Sequence, residues 1–349
     1  MGRDREMRLL KELFHAVEES GRPQLVVLDG EAGIGKSRLG WEFEKYIDGL
    51  ELTVLWHRGR CLSYGDGVAF WALAEMVRSR IGLLEEDAGA TVLMGLDRLL
   101  ADVVTDVVER DWLRPRIASL LGEETREFGR EDLFGAWARF FERVGAGSPV
   151  VMLVDDAEHL DDGLADFLDF LLESGRFPCF VLALARPELL ARRPQLGGRR
   201  STPIRVDPLG DPAMARLVDG LVSGLPTAVR DQLVERAEGI PLYAVETVRA
   251  LIDRDLVIPV DGRYVVAEGA VVDLSTIGAP ASLHALVSSR LDALSAEERR
   301  VVSDASVLGE SFTREGIAIL AGDVPDLDGV LATLTRKELI ATDIDRFSA

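Results

Sequence analysis

Residues 30–37 read Gly-Glu-Ala-Gly-Ile-Gly-Lys-Ser. Gly30 and Gly35 allow the backbone to turn tightly enough for its amide N–H groups to point at phosphate oxygens. Glu31, Ala32, Gly33 and Ile34 form the body of the loop. Lys36 supplies a point charge for β- and γ-phosphates, and the Ser37 hydroxyl suits Mg²⁺. With Arg38, these residues open an expected helix whose N-terminus favours anions. The pattern predicts binding of a nucleotide, ATP or ADP with Mg²⁺. Kinases, motors, DNA loaders and regulatory switches all use such a loop, so other residues must decide between them.

Two acids stand out next. Asp155 and Asp156 end the apolar run Val150–Val154. A carboxylate at the carboxyl end of a buried strand beside the phosphate loop can hold Mg²⁺, and its neighbour can orient an attacking water. Asp155 is assigned to the metal with Ser37, and Asp156 to the water. Arg186 follows the apolar run "VLALA" and is placed to read a γ-phosphate from the side. The predicted catalytic set is therefore Lys36, Asp155, Asp156 and Arg186.

These side chains need elements to carry them. An amphipathic helix is expected over 4–20, where Met7, Leu10, Phe14 and Val17 recur at helical spacing. "QLVVLD", "LTVLWHRGRC", "PVVMLVDD", "FPCFVLALARPE" and "TPIRVDPL" read as strands, and "KSRLGWEFEKYI" and "DDGLADFLDFLLES" as helices. Residues 68–145 read as helical, with breaks near Gly82, Gly122 and Gly129. Strands alternating with helices predict an α/β domain with a mostly parallel sheet covered on both faces. From Asp211 onward long strands disappear, leaving short helices and a hairpin turning at Asp261-Gly262. Trp41, Phe43, Trp56, Phe70, Trp71, Trp112, Trp137, Phe140 and Phe141 lie at core-like spacings. Arg192, Arg193, Arg199 and Arg200 fall in a stretch read as a solvated loop, which makes them weak candidates for an arginine finger.

Bulk properties narrow the classes. The 349 residues carry 47% hydrophobic and 29% charged residues, with a net charge of −20. That charge disfavours nucleic acid. No apolar run approaches a membrane span, and the charged N-terminus lacks the apolar core of a secretion signal. Cys61 and Cys179 sit far apart in apolar contexts, which predicts buried free thiols and a cytoplasmic location.

Four stretches resemble one family. "GRDRE", with Gly2 and Arg3, is similar to the Gly-Arg-x-x-Glu element of STAND ATPases, signal-transduction ATPases with numerous domains. "VVMLVDD" resembles their Walker B strand and "LARPEL" their sensor-1 strand. "AEGIPLYAVE" resembles their Gly-x-Pro motif, here Gly239 and Pro241, whose proline packs on adenine in that family. A proline in the first turn of a helix has no N–H to lose there and offers a flat apolar ring. "GRCLSYGDGVAFWALAEMV", "LRPRIASLLG", "EDLFGAWARFFERV" and "ERAEGIPLYAVETVRALIDRDLV" look like the ATPase modules of actinobacterial class III adenylate/guanylate cyclases and large LuxR-type regulators. Where those relatives carry a His-Trp pair after the Walker B acids, this chain has Glu158 and His159; Asp161 keeps its place.

The resemblance implies an AAA/STAND-like P-loop domain over 1–208, a small helical domain over 209–293 and a winged-helix domain over 294–349. In the last, Ser295 should cap the first of three helices. "ATDIDRFSA" would begin a wing, so a truncated winged helix is expected. The function implied is a slow Mg-dependent ATPase acting as a switch. Exchange of ADP for ATP would free the outer domains for self-association or for control of a fused or partner effector, such as a cyclase or transcription-regulator domain. The alternatives are a non-hydrolysing nucleotide-binding scaffold and an origin-recognition-like ATPase on DNA. Residues 296–349 hold eleven acids and six bases, and the expected recognition helix over 327–339 is neutral, so no duplex DNA binding is expected.

Overall fold

The computed structural model describes residues 2–62, 69–83, 87–260, 262–274, 291, 294–309, 312–322, 324–337 and 339–341. They form two compact units, Met1–Pro208 and Leu209–Ala349.

The first unit is built on five parallel strands: β1 (Gln24–Asp29), β2 (Leu55–Arg60), β3 (Val150–Asp155), β4 (Cys179–Ala185) and β5 (Ser201–Arg205). They lie in the order β2-β3-β4-β1-β5. The central strands are continuous apolar runs because both of their faces are covered. On one face lie α1 (Asp4–Ser20) and α2 (Lys36–Asp48), where Phe14, Phe43 and Phe180 meet edge-on or tilted with ring centroids 5.4–6.0 Å apart. The other face buries Val150, Met152 and Val154 of β3 and Val181, Ala183 and Ala185 of β4. It packs under α3 (Trp71–Ile81), α4 (Ala90–Val103), α5 (Val107–Leu120), α6 (Arg130–Gly145) and α7 (Asp162–Ser174).

All five expected strands and both flanking helices are present. The helical stretch breaks at Gly82, Gly122 and Gly129 as expected. It also breaks at Val104–Asp106, where the Asp106 carboxylate accepts the Val108 amide at 2.9 Å and starts α5. The register explains how β3 reaches the site. It is not β1's neighbour: β4 runs between them, with Asp29 opposite Ala185 and Val154 opposite Ala183. All three strands thus end at the same edge.

One aromatic departs from expectation. Trp41 is 38% exposed on the outside of α2, with the Arg38 guanidinium and the Lys45 ammonium 4.2 and 3.5 Å from its ring centroid. It shields cations rather than filling the core. Cys61 and Cys179 are free and buried, and burial pushes the Cys61 thiol up to about 12.

In the second unit, α9 (Asp211–Leu221), α10 (Thr227–Ala237), α11 (Pro241–Ile252) and the hairpin β6 (Val257–Val260)–β7 (Arg263–Val266) share one apolar cluster. Helices Ala296–Leu308, Arg314–Leu320 and Leu327–Arg336 share another. Ser295 caps the first of these helices in a reciprocal capping box with Glu298. Asp261 of the hairpin turn and all but the first residue of the wing expected over 341–349 lie outside the described residues.

His57 on β2 is 3% exposed, lies edge-on to Phe141, and neither ring nitrogen has a well-formed hydrogen bond. Burial, with the nearby Arg80 charge, depresses its pKa from 6.5 to about 4, against a smaller upward pull from the Leu55 and Val151 backbone. Above pH 6.5 this group's protonation takes nothing from stability. As pH falls from 6.5 toward 4, the unfolded chain takes a proton that the fold refuses, so stability drops by about 3 kcal/mol. His57→Leu should lose less stability than wild type between pH 7 and 4.5. Urea unfolding at the two pH values measures this; equal losses would refute it.

Candidate functional site

The loop after β1 is shaped by two glycines. A Cβ on Gly30 would lie 2.9 Å from the Val206 carbonyl oxygen and 3.1 Å from Ile34 Cγ2, so only hydrogen fits. Gly35 has φ +100°, in the left-handed region that favours glycine, and it opens α2. Ile34 is buried and anchors the loop, while Glu31, Ala32, Ser37 and Arg38 are exposed and Gly33 is half-buried. The first turn of α2 has neither a side-chain cap nor an acidic residue. Such an uncapped helix start suits an anion. Lys36 donates to the carbonyls of Gly30 and Glu31 at 2.8 and 3.1 Å. Burial lowers its pKa; Glu158, Asp155 and Asp156 push the other way, while the Arg186 charge reinforces the drop. These five groups therefore share one electrostatic environment at the carboxyl edge of the sheet.

Asp155 ends β3, and its Oδ1 accepts the Asp156 amide at 3.0 Å. Burial, with the Asp156 charge, raises its pKa above the usual aspartate value. A half-buried carboxylate at the sheet edge that also carries the exposed Ser37 hydroxyl is the kind of oxygen donor that fits Mg²⁺. Asp156 adopts φ +47°, a conformation costing about 1–2 kcal/mol for most residues and less for aspartate. Its carboxylate is gripped by Arg60, with Nε to Oδ2 at 2.7 Å and a second, shorter contact through Nη2. Arg186 follows β4 and is half-exposed; its Nε lies 2.8 Å from Oε1 of Glu158, which is buried.

Arg3 meets the loop from the side. Its guanidinium donates to the Ile34 carbonyl at 2.9 Å and to the Asp207 carbonyl, and pairs with Glu6. Gly2, exposed with φ +72°, precedes it. In the second unit, Gly239 has φ +76° and accepts the Leu209 amide at 2.8 Å, and the half-buried Pro241 occupies the first turn of α11.

Several partners were not foreseen. Arg60 stands opposite Asp155 in the β2–β3 register; its position at the end of a parallel strand was the available signal. Glu158 was read only as a departure from relatives. The stretch read as a solvated loop contains a short helix, α8 (Glu188–Arg192). Arg192 donates to the carbonyls of Glu158 and Leu160, and Arg193 pairs with Asp162. Asp161 caps α7 through the Leu164 amide and accepts the Phe70 amide, which gives it a structural task.

A parallel sheet with a Gly-Lys-Ser loop, two strand-end acids and an arginine at one edge defines a P-loop nucleotide-binding fold of the ATPase class. Residues 1–183 match the AAA ATPase domain, and the chain belongs to that family. Among solved structures it is similar to a signal transduction ATPase with numerous domains carrying a tetratricopeptide repeat sensor, from Pyrococcus horikoshii. The TM-score is 0.52 at 18% identity, covering 95% of this chain and 39% of that one. The chain thus spans well under half of that protein. Weaker likenesses are to the Aeropyrum pernix ORC1 protein in complex with DNA (TM-score 0.44, 12% identity, 96% and 83% coverage) and to domain III of the Thermotoga maritima replication initiation protein DnaA (0.40, 11%, 79% and 89%). No curated protein matches the sequence. No helix among the described residues is long and apolar enough to cross a membrane.

Gly30→Ala should distort the loop, lowering the melting temperature by roughly 2–4 °C and weakening ATP binding. Gly49→Ala, where the added atom meets nothing closer than 3.5 Å, should change neither. Thermal melts and ATP titration of both variants check this; an undisturbed Gly30→Ala would contradict the close approach.

Proposed function

We propose that this chain is a STAND-type, ATP-hydrolysing regulatory switch. The observation that carries the reading is the register that places Lys36, Asp155, Asp156 and Arg186 just past the carboxyl ends of β1, β3 and β4 at one sheet edge. Lys36 and the amides at the start of α2 bind the phosphates. Ser37 and Asp155 hold Mg²⁺, which supplies charge neutralisation for the leaving phosphates. Asp156, held by Arg60, orients the attacking water. Arg186 meets the γ-phosphate. Gly2 and Arg3 brace the loop from the side of the nucleotide, and Gly239 and Pro241 offer an apolar surface to the adenine. Residues 209–293 form a helical domain and 294–349 a winged-helix domain. Exchange of ADP for ATP rearranges them and permits self-association or control of an effector, of the kind found in cyclase or LuxR-type relatives. The switch needs differential affinity: ATP must favour the open arrangement more than ADP does.

A non-hydrolysing scaffold fits less well, because Lys36, both aspartates and Arg186 are all present at one edge of the sheet. A DNA-loading role is disfavoured by the acidic C-terminal region.

Lys36→Ala removes charge-assisted bonds worth about 1.5–3 kcal/mol, so ATP affinity should fall roughly 10- to 100-fold and co-purifying nucleotide should vanish. Isothermal titration and chromatography of the denatured supernatant measure this; tightly retained nucleotide would count against the site. Asp156→Asn should slow phosphate release by about 10²–10⁴-fold while ATP still binds. Unchanged turnover would remove Asp156 from the chemistry. For the switch, small-angle scattering should differ between ADP and a non-hydrolysable ATP analogue; identical curves would refute it.

A further inference from the structure

A glutamate in a turn just after a strand usually reaches into water. Glu158, in the 3-10 turn Ala157–His159, is 8% exposed instead. A carboxylate so placed must be compensated. Arg186 does this twice. Its Nε lies 2.8 Å from Oε1, and its backbone amide donates to Oε2 at 3.2 Å. The second bond fixes where β4 ends, and the first sets the heading of the side chain. The turn itself is pinned from behind: Arg192 donates to the Glu158 carbonyl at 2.9 Å and to the Leu160 carbonyl at 3.1 Å. The anchor is therefore held from both sides, while the Arg186 side chain it holds is 49% exposed. Among the charges acting on Lys36, the Glu158 carboxylate is the one that most favours its ammonium form.

We propose that Glu158 is a positioning residue for ATP recognition and hydrolysis, holding the Arg186 guanidinium where a γ-phosphate would arrive. A long arginine left to itself would lose that orientation to rotamer freedom on each turnover. Glu158 does not touch the reacting atoms. Its effect should pass entirely through Arg186 and should be felt with ATP, which has a γ-phosphate, more than with ADP. This inference rests on the role given to Arg186 above.

The test is a double-mutant cycle on the full chain. ATP and ADP affinities and steady-state kcat and KM are measured for wild type, Arg186→Ala, Glu158→Ala and the double variant. Arg186→Ala should weaken ATP binding about tenfold, as expected for losing a charge-assisted bond, and lower kcat, with ADP affinity changed less than twofold. Glu158→Ala should reproduce most of both effects, and the double variant should be no worse than Arg186→Ala. Glu158→Gln keeps the side chain's shape and serves if the alanine variant folds poorly. It should weaken ATP binding several-fold in the wild-type background and by less than twofold in the Arg186→Ala background. A silent Arg186→Ala would overturn the arginine's role and this inference with it. A sensitive Arg186 beside a silent Glu158, or a double variant clearly slower than Arg186→Ala, would overturn the inference alone.

Discussion

A parallel sheet buried on both faces has little room for charge except at its ends. That constraint organises the first unit. The middles of β1, β3 and β4 are apolar throughout, and the ionised groups collect where these strands stop. Close quarters then impose pairing. Asp156 is gripped by Arg60, Glu158 by Arg186, and Lys36 by two carbonyls of its own loop. A nucleotide's phosphates suit such an edge, where Lys36 and the uncapped first amides of α2 stand.

Backbone geometry serves the same end. Gly30 lets the loop pass against Val206. Gly35 turns it into α2 with the first helical amides uncapped. Asp156 takes a left-handed conformation that turns the chain sharply at the end of β3. In each case the residue type allows a conformation that brings polar atoms to the sheet edge.

Much of this is readable in the sequence, because it depends on local signals. Apolar runs of four to seven residues mark β1, β3 and β4, and the Gly-Lys-Ser spacing marks the loop. Asp155, Asp156 and Arg186 were legible because each terminates such a run. What stayed hidden is what the strand register creates. Arg60 lies 96 residues from Asp156, and only the pairing of β2 with β3 brings them together. Glu158 and Arg186 are 28 residues apart and meet because β3 and β4 are neighbours. Trp41 misled for the opposite reason: its spacing suits a core, but its ring is covered by two cations of its own helix.

Arg3 binds the Ile34 carbonyl with one arm and the Asp207 carbonyl with another. One planar group thus ties together the first helix's approach, the middle of the phosphate loop and the last residues of the first unit. The chain leaves that unit at Pro208, and Leu209 is hydrogen-bonded to Gly239 at once. Arg3 thus works beside the Val206–Asp29 backbone bond in joining the phosphate loop to the chain's exit from the unit, so part of that joint's stiffness is set by a side chain at the opposite end of the unit's sequence.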